Sequence, residues 1–298
     1  MNHYCSPPGT PGTPGMVSTA IAHLVTGPQR TGRVVAASKS AVYLSTGDAA
    51  TPAVALVTED AIRVPNGIVL SARAEDSPFV WLRPRMEATM GDGNVRLGSL
   101  RVVPGRVWAP CRISTFKRPH VLQRAFELGA LVDRHALPTV PELRAPLSRL
   151  ESGLRDLDRD RIWEAGGRLL GLGPGLTPSG DDILCGLLLS CRALAAVDSA
   201  MDVVTETLVD IVSGQALART TLASAALLSH AARDECIPQL AALFEVLDAG
   251  GELTRPLTGL LAVGHHSGSD LARGVALGLL TGHAHRTKGV GFLSCHSH

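Results

Sequence analysis

The stretch Gly171–Asp182 (GLGPGLTPSGDD) constrains the fold of this chain more than any other segment, because it joins a rigid loop to a long apolar run. Glycine and proline together fix an unusual loop path. The run that follows, Ile183–Val197, reads as a buried helix, and Ser179 with Asp182 fits the capping box that begins a helix. We therefore predict a helix N-terminus that presents backbone N–H groups to a bound anion.

A second copy of this signal occurs later in the chain. Ser179–Gly186 (SGDDILCG) aligns with Ser267–Gly274 (SGSDLARG) at an offset of 88 positions, and each copy begins an apolar, glycine-containing helix. Gly186, Gly274 and Gly278 would let these two helices approach closely. We interpret the pair as two helix N-termini that meet at one site; the alternative is two ordinary capping boxes on two buried helices.

Composition bounds the class of protein. The chain has 298 residues, a formal net charge of +1, 45% hydrophobic and 18% charged residues, which is typical of a globular protein. So small a charge argues against nucleic-acid or membrane-surface partners. Arg192 interrupts the longest apolar run, so no membrane span is expected. Six cysteines without CxxC spacing, and no export signal, indicate reduced thiols and a cytoplasmic location.

The order of the sequence patterns predicts an α+β fold, with an N-terminal β-rich barrel or sandwich followed by a larger, mostly α-helical domain. The helical domain would contain the two pseudo-equivalent motifs of glycine loop and helix. We expect four parts: a disordered tail over 1–15, the β-rich domain over 16–115, the helical domain over 116–283 and a flexible tail over 284–298. Either Met1 or Met16 begins translation, because the Pro/Gly-rich start cannot bury a core.

Short β-type segments recur in the first part of the chain, and small antiparallel barrels or sandwiches are typically built from such segments. Pro65-Asn66-Gly67 predicts a hairpin that joins Ile62–Val64 to Ile68–Leu70. The predicted strands are Arg33–Ala37, Ala41–Ser45, Ala53–Thr58, Ile62–Val64, Ile68–Ser71, Phe79–Leu82, Val95–Val103 and Arg106–Trp108.

Helical periodicity replaces this pattern after Pro119. A row of leucines at alternating spacings of four and three places one apolar face on a helix that has Pro146 in its first turn; the leucines are Leu143, Leu147, Leu150, Leu154 and Leu157. Further helices are predicted over Arg161–Leu170, Ile183–Val197, Val203–Leu217, Thr220–Ala232, Gln239–Leu247, Leu257–Val263 and Leu271–Leu280.

The glycine loop matches neither common nucleotide fingerprint. Asp181 and Asp182 stand where a P-loop needs lysine and Ser/Thr, and Leu176 replaces the last glycine of a dinucleotide motif. No cofactor and no metal are therefore predicted, with Mg²⁺ as the alternative if the carboxylates hold a cation. The histidines and cysteine of the C-terminal tail have no matching ligand pair elsewhere; they are His283, His285, Cys295, His296 and His298.

The remaining candidates suit a small anion that also has an amide group. Asp181 is expected to be the carboxylate most available to a ligand, and His265, of the pair His265-His266, is the candidate acid or base. The alternatives are purely structural aspartates, an exposed histidine pair and a surface arginine at Arg219. The predicted substrate-binding residues are Gly173, Gly175, Thr177, Ser179, Gly180, Asp182, Arg219, Thr220, Ser267, Gly268 and Asp270.

Three segments in this order resemble the AllH-like family, formerly described as a domain of unknown function. They are Leu169–Asp182 (LLGLGPGLTPSGDD), Thr220–Ala232 (TTLASAALLSHAA) and Gly264–Asp270 (GHHSGSD). The resemblance covers about Gly32 to Leu280. It implies a subunit of an oxamate carbamoyltransferase in allantoin nitrogen catabolism, which exchanges a carbamoyl group between oxalurate and phosphate to give oxamate and carbamoyl phosphate.

The same resemblance implies companion subunits, one of them similar to the FdrA proteins. Fold transfers between relatives more readily than reaction does. A second hypothesis, from a different class, therefore makes the chain a non-catalytic subunit that binds a small anion or serves as a scaffold for FdrA-like partners. No Ser-His-Asp or Cys-His arrangement can be read from the sequence to decide between the two.

Overall fold

The computed structural model describes residues 12–293, and their side chains as far as residue 287. The chain forms two compact units. Residues 12–111, together with Ala225–Leu227, form the first, and the remaining described residues form the second. The first unit is a β-barrel and the second is helical, which confirms the predicted fold class.

The first unit is a closed barrel of eight strands in the order β1-β5-β4-β3-β2-β6-β7-β8. Side chains alternate between interior and surface along β3, where Val42 and Leu44 are buried. One short helix, α1 (Ala22–Thr26), accompanies the barrel. The strands are β1 (Thr13–Ser18), β2 (Arg30–Ala37), β3 (Ala41–Ser45), β4 (Ala53–Val57), β5 (Gly67–Leu70), β6 (Glu87–Gly91), β7 (Asn94–Leu97) and β8 (Leu100–Trp108).

A strand absent from the prediction closes the barrel. β1 pairs antiparallel with β5 and parallel with β8. Thr13–Gly15, expected to lie in a disordered tail, are therefore part of a strand; residues 1–11 of that tail lie outside the described residues. Since β4 and β5 are also parallel, the expectation of a purely antiparallel sheet was wrong.

The predicted hairpin at Pro65-Asn66-Gly67 was also wrong. Ile62–Val64 form no strand, and β5 pairs with β1 and β4 instead. Asn66 is fully buried, and its Nδ2 donates to the carbonyl oxygen of Ala53 at 2.9 Å. Asn66 therefore hydrogen-bonds to β4, and the turn residues do not reverse the chain into a hairpin.

Two other strand predictions differ from the structure. Phe79–Leu82 form a turn, although Phe79 and Leu82 are buried as a strand would require. The single strand predicted over Val95–Val103 is instead the two antiparallel strands β7 and β8. Gly98, at the break between them, has a φ of 53°, which glycine adopts readily.

The second unit is built from helices, with two very short strands, β9 (Cys111–Arg112) and β10 (Glu235–Cys236). Pro146 lies in the first turn of α3, as predicted. A π-helical segment, Val212–Ala216, interrupts the helix predicted over Val203–Leu217. The helices are α2 (Ala125–His135), α3 (Arg144–Asp156), α4 (Arg159–Leu169), α5 (Ser179–Leu194), α6 (Ala200–Ile211), α7 (Leu217–Arg219), α8 (Leu222–Ala231), α9 (Pro238–Ala249), α10 (Thr254–Leu261) and α11 (Ser267–Leu293).

The C-terminal helix is longer than expected. α11 continues to Leu293, so most of the segment predicted as a flexible tail is helical, and residues 294–298 lie outside the described residues. Nearly all of α5 is buried, including the four polar or small residues of its first turn. Within the described residues, no helix combines the length and the apolarity that a membrane crossing requires.

Candidate functional site

Helices α5 and α11 approach each other through a reciprocal pair of glycines. Gly186 of α5 lies against the carbonyl oxygen of Leu271, and Gly274 of α11 lies against that of Ile183, so a Cβ at either glycine would overlap the other backbone. The two contacts are related by the 88-residue offset between the sequence motifs. The residues that begin both helices are thereby brought together, and Thr177 Oγ1 lies 2.9 Å from Ser267 Oγ.

The loop before each helix is also held by a glycine packed against a backbone carbonyl oxygen. A Cβ at Gly180 would overlap the carbonyl oxygen of Leu169, and one at Gly268 would overlap that of Leu260. These two glycines therefore pack the loops rather than contact a ligand. Gly173 has a φ of 111° and lies against the Ser179 amide, whereas Gly175, with a φ of 99°, has open space around it.

The capping box predicted at Ser179 and Asp182 is not formed. Helix α5 has Pro178 as its N-cap, and no side chain caps it. The Pro178 carbonyl accepts from the amides of Asp181 and Asp182 at 2.9 and 3.2 Å, and the Gly180 amide donates to Leu172 O at 2.9 Å. These amides are therefore unavailable to an anion. The Ser179 and Ser267 amides donate to no described acceptor, so they are among the backbone donors left for a ligand.

Asp181, expected to be free for the ligand, instead belongs to the framework, by which we mean the hydrogen bonds that hold the glycine loop in place. Its side chain is 1% exposed, and Oδ1 accepts from the Gly171 amide at 2.9 Å. Oδ2 accepts from the hydroxyls of Thr220 and Ser224, the latter at 2.7 Å. Burial raises the pKa of Asp181, and these three hydrogen bonds act against the rise. Asp181 is therefore not free as expected, because its oxygens tie the glycine loop to α8.

Asp182 and Asp270 have the open oxygens that were expected at Asp181. They are 7% and 2% exposed, and Oδ2 of each is buried without a hydrogen-bond partner. Arg273 Nη1 binds Oδ1 of Asp270 at 2.8 Å and leaves the other oxygen unpaired. Since the two aspartates occupy equivalent positions in the two motifs, the pair contributes one open carboxyl oxygen from each helix.

The charge state of Asp182 reflects this crowding. Burial, above all, raises the pKa of Asp182 well above the usual carboxyl value, and the nearby charges of Asp270 and Asp181 add to the rise. Hydrogen bonds from Ser267 and Thr177 act in the opposite direction. The site thus combines two hydroxyls with a carboxyl group whose negative charge is unfavourable unless a ligand compensates it.

The other predicted site residues are exposed or form hydrogen bonds that hold the loops in place. Arg219 is exposed and donates through Nη1 to the carbonyl oxygen of Gly167 at 3.1 Å. Thr220 binds Asp181, as described above. His265 is exposed and meets His266 edge to face with ring centroids 4.7 Å apart. His266 is half-buried, with Nδ1 shielded and without a partner, so it is the better-placed histidine of the pair.

Sequence reasoning missed three polar side chains. Ser224 and Arg273 hold Asp181 and Asp270, and Arg273 could have been found from its position three residues after Asp270 on one helix. His230 is fully buried, and its Nδ1 lies 2.6 Å from Glu235 Oε2. Burial lowers the pKa of His230, and no pattern in the sequence pointed to this pair.

No ready-made metal centre is present in the part of the chain that the structure describes, where no three His, Cys, Asp or Glu side chains form a group that could hold an ion. His283 and His285 instead contact the carbonyl oxygens of Leu122 and Leu154 at 3.0 and 2.8 Å. The metal-type residues Cys295, His296 and His298 lie outside the described residues. Any cation at the helix ends would therefore have to use hydroxyls, water or substrate beside the two open carboxyl groups.

Comparison with known proteins places the site inside one segment that matches a family model. No solved structure matches this chain. A family model does match, and its limits include both glycine loops, both open aspartates and the Thr220 segment. The resemblance noted in the sequence is confirmed over that region: residues 169–279 match the family described as oxamate carbamoyltransferase subunit AllH.

Proposed function

We propose that this chain is a subunit of an oxamate carbamoyltransferase-like enzyme. Its reaction would be carbamoyl transfer between oxalurate or oxamate and phosphate, in the nitrogen catabolism of purines and allantoin. The observation that carries the proposal is the family match over residues 169–279, which spans the whole cluster around Thr177, Asp182, Ser267 and Asp270. The same name favours a complex with other carbamoyltransferase components, and we propose that FdrA-like proteins are among them.

The site offers the right kinds of groups for these substrates. Phosphate, oxamate and oxalurate are small anions, and the free amides of Ser179 and Ser267 lie at two helix N-termini, where anions bind favourably. The hydroxyls of Thr177 and Ser267 add two donors 2.9 Å apart. Oxamate and oxalurate are also amides, and the open oxygens of Asp182 and Asp270 can accept from an N–H group or bind a cation.

In the proposed reaction, an oxygen of phosphate attacks the carbamoyl carbon of oxalurate. The bond from that carbon to the amide nitrogen breaks, oxamate leaves with a proton on its nitrogen, and carbamoyl phosphate forms. The rate enhancement would come from positioning the substrates and from stabilising charge in the transition state, without a covalent enzyme intermediate. His266, with Nδ1 unpartnered, is the candidate proton carrier in place of His265. We place the reaction in the cytoplasm.

Binding of the substrates to the purified chain tests the site. We would measure thermal shifts with phosphate, carbamoyl phosphate, oxamate and oxalurate, for the natural protein and for Ser267→Ala and Asp270→Asn. A ligand at a hundredfold excess over its dissociation constant adds about 2.7 kcal/mol to stability, which is easily detected. Asp133→Asn, an exposed aspartate on α2, is the matched control.

The proposal predicts a shift with at least one of these anions that both site variants lose and the control retains. A shift that all variants retain would place the ligand elsewhere. Binding without turnover in the assembled complex would favour the alternative, a non-catalytic subunit that holds a small anion.

A further inference from the structure

Two buried carboxyl oxygens at one place need an explanation. Buried polar atoms in folded proteins almost always have a hydrogen-bond partner, so two unpartnered oxygens from two helices at one site call for an explanation, such as water or a bound ion. Asp182 Oδ2 and Asp270 Oδ2 are both exceptions, they belong to different helices, and their side chains are more than nine-tenths buried. The mutual repulsion of these carboxylates makes the absence of a partner costly.

The hydroxyls of Ser267 and Thr177 hydrogen-bond the Asp182 carboxyl group, yet Oδ2 of Asp182 and Oδ2 of Asp270 have no partner among the described residues. The amides of Asp182 and Gly180 donate to loop carbonyls, and the Asp270 amide donates to His266 O at 3.0 Å. Arg273 compensates Asp270 from the opposite side, through Oδ1 alone. With Asp181 close by as a third carboxylate, the single positive charge of Arg273 does not balance the group.

We propose that Asp182 and Asp270 bind one divalent cation of the Mg²⁺ type through their Oδ2 atoms, with the hydroxyls of Thr177 and Ser267 beside it. Mg²⁺ in proteins is commonly held by one or two carboxylates, with water and substrate oxygens completing its shell. Its oxygen ligands at about 2.0–2.1 Å lie roughly 2.9 Å apart at neighbouring corners of an octahedron. The Thr177 and Ser267 hydroxyl oxygens, which hydrogen-bond to each other, are 2.9 Å apart, and this distance also matches that spacing.

A cation at this position resolves a conflict within the site. Three carboxylates lie where two helix N-termini would otherwise attract an anion. A divalent ion between Asp182 and Asp270 would neutralise the pair and leave coordination positions for a phosphate or carboxylate oxygen. This role toward the substrate rests on the proposed function, whereas the binding of the ion itself does not.

Isothermal titration of the metal-free chain with Mg²⁺ alone tests the ion site, and Mn²⁺ gives a second signal by electron paramagnetic resonance. We expect one ion per chain for the natural protein and for Asp133→Asn. Asp182→Asn and Asp270→Asn should each weaken binding at least tenfold while keeping the natural circular dichroism spectrum. Ser267→Ala should weaken it less, because a neutral ligand is lost. Phosphate should raise the affinity for Mg²⁺ in the natural protein and in Asp133→Asn, but not in Asp182→Asn or Asp270→Asn.

The proposal would be overturned if neither ion bound, or if the aspartate variants bound Mg²⁺ as tightly as the natural protein. It would also be overturned if uncharged oxamide stabilised the protein against thermal unfolding in the presence of a chelator. The last would mean that the two carboxyl groups accept N–H donors instead. Carbamoyl transfer that persists in a chelator would refute the cation and leave the proposed function intact. Absence of carbamoyl transfer in a protein that still binds Mg²⁺ would refute the proposed function and leave the cation site intact.

Discussion

Asp181 and Asp182 are neighbours in sequence with opposite predicted effects on stability. Asp181→Ala removes the acceptor of three donors, a buried one on Ser224 and two partly buried ones on Gly171 and Thr220. Because hydrogen bonds to a charged group are worth about 1.5–3 kcal/mol each, we expect a loss of at least roughly 3 kcal/mol in the free energy of unfolding. Urea denaturation followed by circular dichroism measures it. A loss below about 1 kcal/mol would contradict the framework role.

Asp182 should instead destabilise the protein when it ionises. Its pKa is higher in the folded protein than the value of 3.8 for an ordinary aspartate, mainly through burial and then through the charges of Asp270 and Asp181. The folded state therefore holds this proton more tightly than the unfolded chain. The free energy of unfolding must then fall as pH rises from the ordinary value through the raised one.

Asp182→Asn should flatten this pH dependence. We predict that the variant melts at a higher temperature than the natural protein near neutral pH in a chelator, and that the difference shrinks toward about pH 4. Asp181 has the same surroundings in both proteins apart from this one charge, so the comparison isolates Asp182. If the difference in melting temperature between the two proteins were the same at every pH, other groups would already compensate the charge of Asp182.

The sequence could not tell these two aspartates apart. Successive residues on a helix point about 100° apart, so one of an adjacent pair faces its own loop and the other faces the neighbouring helix. Which is which depends on the position of α8, which supplies Ser224, and of α11, which supplies Asp270. The motif thus predicted polar groups at the two helix ends, and the structure leaves an open carboxyl oxygen on Asp182 rather than on Asp181.

At the level of elements, the contact between α5 and α11 depends on glycine. Gly274→Ala would place a Cβ into the backbone of α5 at Ile183, where helix carbonyl groups cannot yield as a flexible side chain could. We predict a loss of roughly 2 kcal/mol or more, as in other overpacked cores. Gly186→Ala should cost a similar amount, because its contact with Leu271 is the reciprocal one.

Gly259→Ala supplies the control for this prediction. Gly259 lies within α10, and no atom lies near the position of its Cβ. Alanine is favoured over glycine inside a helix by about 1 kcal/mol, so this variant should be neutral or more stable. If the variants at Gly259 and Gly274 had equal melting temperatures, the close approach of the helices would be refuted.

Local patterns predicted the elements whose signals lie within their own sequence. Strand β3 has the predicted bounds of Ala41–Ser45, and the amphipathic leucines locate α3. β1 was missed because its sequence, Thr13–Ser18, contains Pro14 and Gly15, and it is ordered by pairing with β5 and β8, far away in sequence. Since register depends on such distant partners, the barrel could be predicted as a class but not as a strand order.

At the scale of the whole molecule, the family match and the open carboxyl groups lie in the same part of the chain. Residues 169–279 belong almost entirely to the helical unit, and they contain Thr177, Asp182, Ser267 and Asp270. The β-barrel lies outside the matched segment. We therefore expect substitutions that abolish activity without unfolding the protein to cluster at the ends of α5 and α11.

The companion subunits provide a test at this scale. If the chain works only within a complex, we predict that the purified chain alone has no carbamoyl transfer activity, and that adding FdrA-like subunits restores it. Co-purification and size-exclusion chromatography would measure the assembly. Full activity of the isolated chain would contradict the requirement for partners, while leaving the site itself unaffected.

The most direct test of the central claim is a transfer assay on the assembled complex. Carbamoyl phosphate formation from oxalurate and phosphate would be compared for the natural chain, Asp270→Asn and Asp133→Asn. We predict that Asp270→Asn lowers the rate by about a hundredfold or more, as the loss of a central electrostatic group does in other enzymes, and that Asp133→Asn keeps the natural rate. A complex with Asp270→Asn that folds, assembles and turns over at the natural rate would show that the paired helix ends are not the site of carbamoyl transfer.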